Sequence, residues 1–224
     1  MDSTYSQTLV LRDNIPQTKA KFEVFMATDR KGLREALWQL ASQQRGYFTA
    51  AQALKVGYSY QAQHFHVRQG NWGRVDRGVF RLGEYNYLPS EADDYLVQWY
   101  LWGKEQAVVS HLSALSVHEI GIANPADIHL TVPPGFRQRS SAVVLHFAEL
   151  ATTDVEQRLG YRITTPLRAI AECSSAGADQ DVVDSAVADL LSRGEVTRKQ
   201  LLEAGGRLGP RAELGIERAL AAQP

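Results

Sequence analysis

Residues 57–83 read GYSYQAQHFHVRQGNWGRVDRGVFRLG, and the change of period inside this stretch decides the fold. Up to Gln69 the spacing is helical: Ser59 suits an N-cap, and Ala62, Phe65, His66 and Gln69 fall along one stripe just after Tyr58. The opposite face carries Tyr60, Gln61, Gln63, His64 and Arg68. Beyond Gly70 and Asn71 the period becomes that of a strand. Trp72, Arg74 and Val75 lead into a polar Asp76-Arg77-Gly78 turn, from which Val79, Phe80, Arg81 and Leu82 return. A short glutamine-bearing helix is thus followed at once by a two-stranded ribbon carrying three arginines.

The preceding residues extend this pattern backwards. Asp29 is placed to cap a helix whose stripe is Leu33, Ala36, Leu37, Leu40 and Ala41, ending near Gln44. Gly46 permits a stop, and Tyr47 and Phe48 suit a short extended piece. Thr49 caps a helix of about two turns that Gly57 ends. Helix, strand, helix, turn, helix, hairpin is the order of a winged helix-turn-helix. In that fold the polar face of the third helix enters a major groove, and the hairpin meets phosphates or the minor groove.

The residue types suit that task. Gln61 and Gln63 can pair bidentately with adenine edges, each good pair discriminating by roughly 1–3 kcal/mol. Tyr60 and His64 reach in the same direction, and Ser59, Arg68 and Asn71 complete the candidate surface. Arg74, Arg77 and Arg81 supply phosphate contacts whose strength falls with salt. Winged helices also serve as protein-binding modules, and a solvated polar face is the plainer reading of the same side chains. His66, on the inward stripe, reads as a core histidine.

Composition bounds the alternatives. A chain of 224 residues with 44% apolar content can fill a sizeable core. Its net charge of −1 divides unevenly: residues 1–90 carry 12 Lys or Arg against 7 Asp or Glu, residues 91–224 carry 12 against 18. A basic module joined to an acidic one fits a polyanion-binding part attached to a protein-facing part. No apolar run approaches the length of a membrane span and no secretory leader is recognisable, so a cytoplasmic protein is expected. The one cysteine, Cys173, excludes an internal disulfide and a thiolate zinc cluster.

The second half reads as α/β. The segments EADDYLVQWYLWGKE and EQAVVSHLSALSVHEIG suggest two helices, the first rich in aromatics. DIHLTVPP, AVVLHFAEL and YRIT suggest strands, and Thr165 with Pro166 opens a helix over PLRAIAECS. Further helices are expected over about 181–192, 197–204 and 211–222, with GGRLGP at 205–210 breaking the last two. The expected organisation is an extension over 1–28, a winged helix-turn-helix over 29–88 and a mixed α/β domain over 89–224.

Several blocks carry a family resemblance. GYFTAAQAL and HVRQGNWGRVDRGVFRL, followed by VVSHLSALSVHEIG, HLTVP and GYRITTPLRAIAE, resemble the AbiEi antitoxins of type IV toxin-antitoxin systems, in order over residues 31–200. The resemblance implies a winged helix-turn-helix that represses its own operon by binding double-stranded operator DNA. It also implies a C-terminal domain tied to neutralising a nucleotidyltransferase-like toxin. Members often carry more arginines on the recognition helix, where this chain has Gln61, Gln63 and His64.

Catalysis is not expected. A metal-dependent nuclease needs a carboxylate two residues before a lysine, yet Trp102 and Thr197 precede Lys104 and Lys199, the only lysines after residue 90. His111 and His118, with Glu119 or His129, are a weak proposal for metal ligands. Cys173 has no activating histidine near it in sequence, and no phosphate-cradling glycine loop is present. No cofactor and no metal are therefore expected. A DNA-binding antitoxin is the leading reading, with self-association on repeated half-sites. A purely protein-binding antitoxin and a stand-alone regulator are the alternatives.

Overall fold

The computed structural model describes residues 30–223. The expected extension over 1–28 and the cap assigned to Asp29 lie outside the described residues. The architecture is α/β, a winged helix-turn-helix followed by a mixed sheet with helices. The first helix, α1, covers 30–42. Strand β1 (Tyr47–Thr49), helix α2 (Ala50–Val56), helix α3 (Tyr60–Arg68) and the hairpin β2 (Trp72–Asp76) and β3 (Val79–Leu82) follow. The small sheet has the order β1-β3-β2, antiparallel throughout.

Local chemistry sets these elements. Thr49 and Gln52 form a capping box at α2: the hydroxyl of Thr49 accepts from the Gln52 amide at 3.1 Å, and Gln52 Oε1 accepts from the Thr49 amide at 2.8 Å. Ser59 caps α3 by accepting from the Ala62 amide at 3.2 Å. Gly46 turns the chain from α1 into β1 with φ +85°, and a Cβ there would lie 2.3 Å from the Tyr85 ring, so only glycine fits.

The module closes around Trp72, which is 4% exposed. Its ring meets Phe48 edge-on at 4.8 Å and Tyr58 at 5.1 Å, while His66 stacks on it at 4.8 Å. Leu37, Ala41, Ala53, Phe80 and Leu82 fill the rest of this core. The α1 stripe is therefore largely as expected, but Ala36 faces solvent and Trp38 packs inward against Tyr85 at 5.4 Å.

In the second half, α4 (Leu96–Trp102) precedes a five-stranded sheet of order β6-β5-β4-β8-β7. Its strands are β4 (Val108–Val109), β5 (Ile128–Val132), β6 (Val143–Phe147), β7 (Val155–Arg158) and β8 (Tyr161–Thr164). Between β4 and β5 lies α5 (His111–Val117), and the chain ends in α6 (Pro166–Ala176), α7 (Gln180–Ser192), α8 (Arg198–Leu208) and α9 (Pro210–Ala221). The single helix expected over EQAVVSHLSALSVHEIG is instead a strand, a left-handed His111 (φ +52°) and a short helix. Ala107, Val108 and Val109 are all buried at the sheet centre, and a short fully buried apolar run gives no period by which to separate strand from helix. Strand β7 was also not anticipated. The α8 helix continues through Gly205 and Gly206 and breaks at Gly209; a Cβ on Gly205 would sit 3.0 Å from Glu213 Cα, so the glycine serves close packing on α9.

The two halves share a core and an ionic seam. Tyr47 and Val79 of the small sheet pack with Leu96, Val97 and Trp99 of α4 in the large core. Arg45 pairs with Glu91 at 2.7 Å and with Asp94 at 3.0 Å. Among the described residues, no helix is long and apolar enough to cross a membrane. Since Trp72 packs against Phe48, Tyr58, His66 and Phe80, Trp72→Ala is expected to cost about 3–5 kcal/mol in chemical denaturation of the full chain. A loss below about 1 kcal/mol contradicts its role as the organising side chain.

Candidate nucleic-acid interface

Helix α3 and the hairpin both carry exposed polar side chains. Ser59, Tyr60, Gln61, His64 and Arg68 on and beside α3 are exposed, as are Asn71, Arg74 and Arg77. The helix carries no acidic residue in its first turn, so nothing there repels an approaching phosphate. Asn71 is positioned by its side-chain contact with His66 Nδ1 at 3.1 Å. His66 itself is wedged between Trp72 and Tyr58, and burial lowers its pKa, so the core-histidine reading of that residue agrees with its position.

Two assigned residues are corrected. Gln63 is 3% exposed, and its Nε2 donates to the carbonyls of Ala50 and Tyr58, both at 3.2 Å. It ties α3 to α2, because those carbonyls point inward and a buried acceptor needs a donor. Arg81 lies on the inner side of β3, where its guanidinium pairs with Asp94 at 3.5 Å, donates to the Arg45 carbonyl and covers the Tyr47 ring at 4.9 Å. It is committed to the seam between the halves and is not free to hold a phosphate. Phe65, expected on the inward stripe, is 57% exposed, and Tyr60 on the same helix is 66% exposed. The buried stripe of α3 thus runs through Gln63 and the flanks of Ala62, His66 and Val67.

Sequence reading missed a second polar concentration, in the second half. His111 stacks on His146 with ring centroids 3.4 Å apart, and His146 Nε2 lies 3.0 Å from His129 Nδ1. Beneath them, Ser110 Oγ lies 2.9 Å from His111 Nδ1 and accepts from Thr131 Oγ1 at 2.8 Å. Glu172 accepts from Arg168 Nε at 3.0 Å and from Thr164 Oγ1 at 3.2 Å, and Arg168 also pairs with Asp154 at 3.1 Å. Parallel pairing of β5 and β6 sets Thr131 opposite His146, a long-range register that spacing could not reveal.

This group resembles a nucleophile–base–carboxylate set but lacks its geometry. Ser110 and Glu172 both face Nδ1 of His111, the latter at 3.7 Å, so the ring cannot carry a proton from one to the other. Ser110 is also fully buried. His118 stands apart, with its Nε2 2.9 Å from the Thr164 carbonyl, so the pairing of His111 with His118 as metal ligands is not realised. Among the described residues, no group of three or more His, Cys, Asp or Glu is arranged to hold a metal ion. Cys173 is buried, and burial pushes its thiol well above the ordinary range.

Burial depresses all three histidines, and repulsion from neighbouring rings adds to it at two of them: His111 falls to about 2, His146 to about 4, and His129 is lowered by burial. Unfolded histidines bind protons near 6.5, so this stability is complete above that pH and is lost as pH falls toward about 4. Glu172 opposes the trend, since burial raises its pKa, but it is one group against three. The thermal midpoint is expected to fall steadily from pH 7 to pH 4.5, and less steeply in His146→Gln. A midpoint independent of pH across that range contradicts the neutral stack.

No family model matches the chain, and no curated protein matches it. Among solved structures, that of the RV2827C protein from Mycobacterium tuberculosis is similar, with 14% identity and a TM-score of 0.50 over 84% of this chain and 80% of that one. At that identity the likeness is one of fold, and it spans both the winged helix-turn-helix and the mixed sheet.

Proposed function

We propose that this chain is a DNA-binding autorepressor and antitoxin of the AbiEi kind, which reads operator DNA with α3 and the wing and counteracts a nucleotidyltransferase-like toxin. The observation that carries the DNA-binding part is the shared exposure of Gln61, His64 and Arg68 on α3 with Arg74 and Arg77 on the hairpin. Behind α3 and the hairpin lies the core that contains Trp72. Base-edge donors and acceptors on a short helix, flanked by cations on a ribbon, match the division between reading and positioning in winged-helix complexes. The toxin-directed part rests on the resemblance of the VVSHLSALSVHEIG, HLTVP and GYRITTPLRAIAE blocks. In this reading no catalytic residue, metal or cofactor is needed, and the protein acts in the cytoplasm.

One observation favours a second reading. Tyr60 and Phe65 are large, apolar and exposed on the same helix, as on a protein-binding face. A protein-binding antitoxin would use α3 against its partner, without preference among duplexes.

Binding of the purified protein to its own promoter and to random duplex, measured across salt concentrations, separates the two. Arg74→Ala with Arg77→Ala is expected to weaken every duplex and to reduce the salt slope by about one for each phosphate contact removed. Gln61→Ala is expected to change which site is preferred, by about 1–3 kcal/mol at one base pair. Equal affinity for promoter and random duplex in the unaltered protein rejects the repressor.

A further inference from the structure

A cleft of about 870 Å3 opens between the winged helix-turn-helix and the second half. Cations enter it from separate elements: Lys55 from the end of α2, Arg77 from the wing turn, Lys104 from the turn after α4, and Arg139 from the segment before β6. Lys104 is one of only two lysines after residue 90, in the half of the chain with excess negative charge, so its presence at this wall runs against the local composition.

The wall is shaped as well as charged. Trp102 lines the cleft and packs against Trp99 at 5.7 Å and Phe136 at 5.8 Å. Gln138 lies in the same lining. Lys104 and Glu105 are successive non-glycine residues with left-handed backbone, φ +54° and +62°, and Arg162 holds this turn by donating to the Glu105 carbonyl. Such backbone is strained for a non-glycine residue and persists only where its surroundings enforce it.

We infer that this cleft binds a phosphorylated small molecule with an aromatic base, a nucleotide. The volume lies within the range of small-molecule sites. Lys55, Arg77 and Lys104 meet the phosphates, and Trp102 gives the base a face to stack on. Glu105, the one carboxylate in the lining, accepts from a ribose hydroxyl and disfavours bare inorganic anions. Because Arg77 belongs both to this cleft and to the proposed DNA surface, an occupied cleft competes for the wing.

Calorimetric titration of the full chain with ADP, with adenosine as the control, tests the site without requiring any DNA activity. ADP is expected to bind, and adenosine at least about tenfold more weakly. Lys55→Ala and Lys104→Asn are each expected to weaken ADP about tenfold; asparagine tolerates the left-handed backbone and so removes the charge without unfolding the turn. No ADP binding at millimolar concentration, equal binding of adenosine, or ADP binding unchanged in both variants overturns the inference. Failure of promoter binding in the unaltered protein leaves this titration standing, so the two outcomes are separable.

Discussion

The packing of His66, Tyr58, Phe48 and Phe80 around the Trp72 indole is the constraint on which the rest of the winged helix-turn-helix depends. Trp72 begins the hairpin and His66 closes α3, so one stack fixes the wing relative to the recognition helix. Aromatic pairs of this kind contribute about 0.5–1.5 kcal/mol each beyond the area they bury. Without that coupling a nine-residue helix with two exposed aromatics has little to hold it, since isolated helices of that length are marginal in water. Gln63 adds the second restraint by satisfying two inward carbonyls of neighbouring segments.

The rigid small module is then joined to the second half by a seam of charge laid over a shared apolar core. Arg45, itself left-handed at φ +52°, and Arg81 converge on Asp94, while Tyr161 donates to Asp93 at 2.5 Å from the far side. These side chains are largely buried, so removing one partner would strand the other in a poorly solvated place. The seam explains why the wing divides its arginines: those on the outer side stay free, and the one on the inner side of β3 is spent on cohesion.

Much of the winged helix-turn-helix was legible because its signals are local. Caps at Thr49 and Ser59 and the switch of period after Gly70 are each set by neighbours in sequence. The errors fall where a distant partner decides. Spacing puts Gln63 on the reading face because a face of glutamines and a histidine reads as solvated, whereas the Ala50 and Tyr58 carbonyls draw it inward. Arg81 was assigned to phosphate, and its Asp94 partner is supplied by a turn that composition does not announce. The histidine stack draws on Ser110 before α5, His111 at the start of α5, His129 on β5, His146 on β6 and Glu172 on α6, and no spacing rule connects them. Val108 and Val109 read as helix because a central strand of two residues has no alternation to display.

The most direct measurement is amide hydrogen exchange, read by mass spectrometry, on the full chain with and without its own promoter duplex. The account predicts slowed exchange in peptides spanning 58–69 and 71–82, with β6 unchanged. Slowed exchange confined to the second half, or none in 58–82 at saturating duplex, contradicts it.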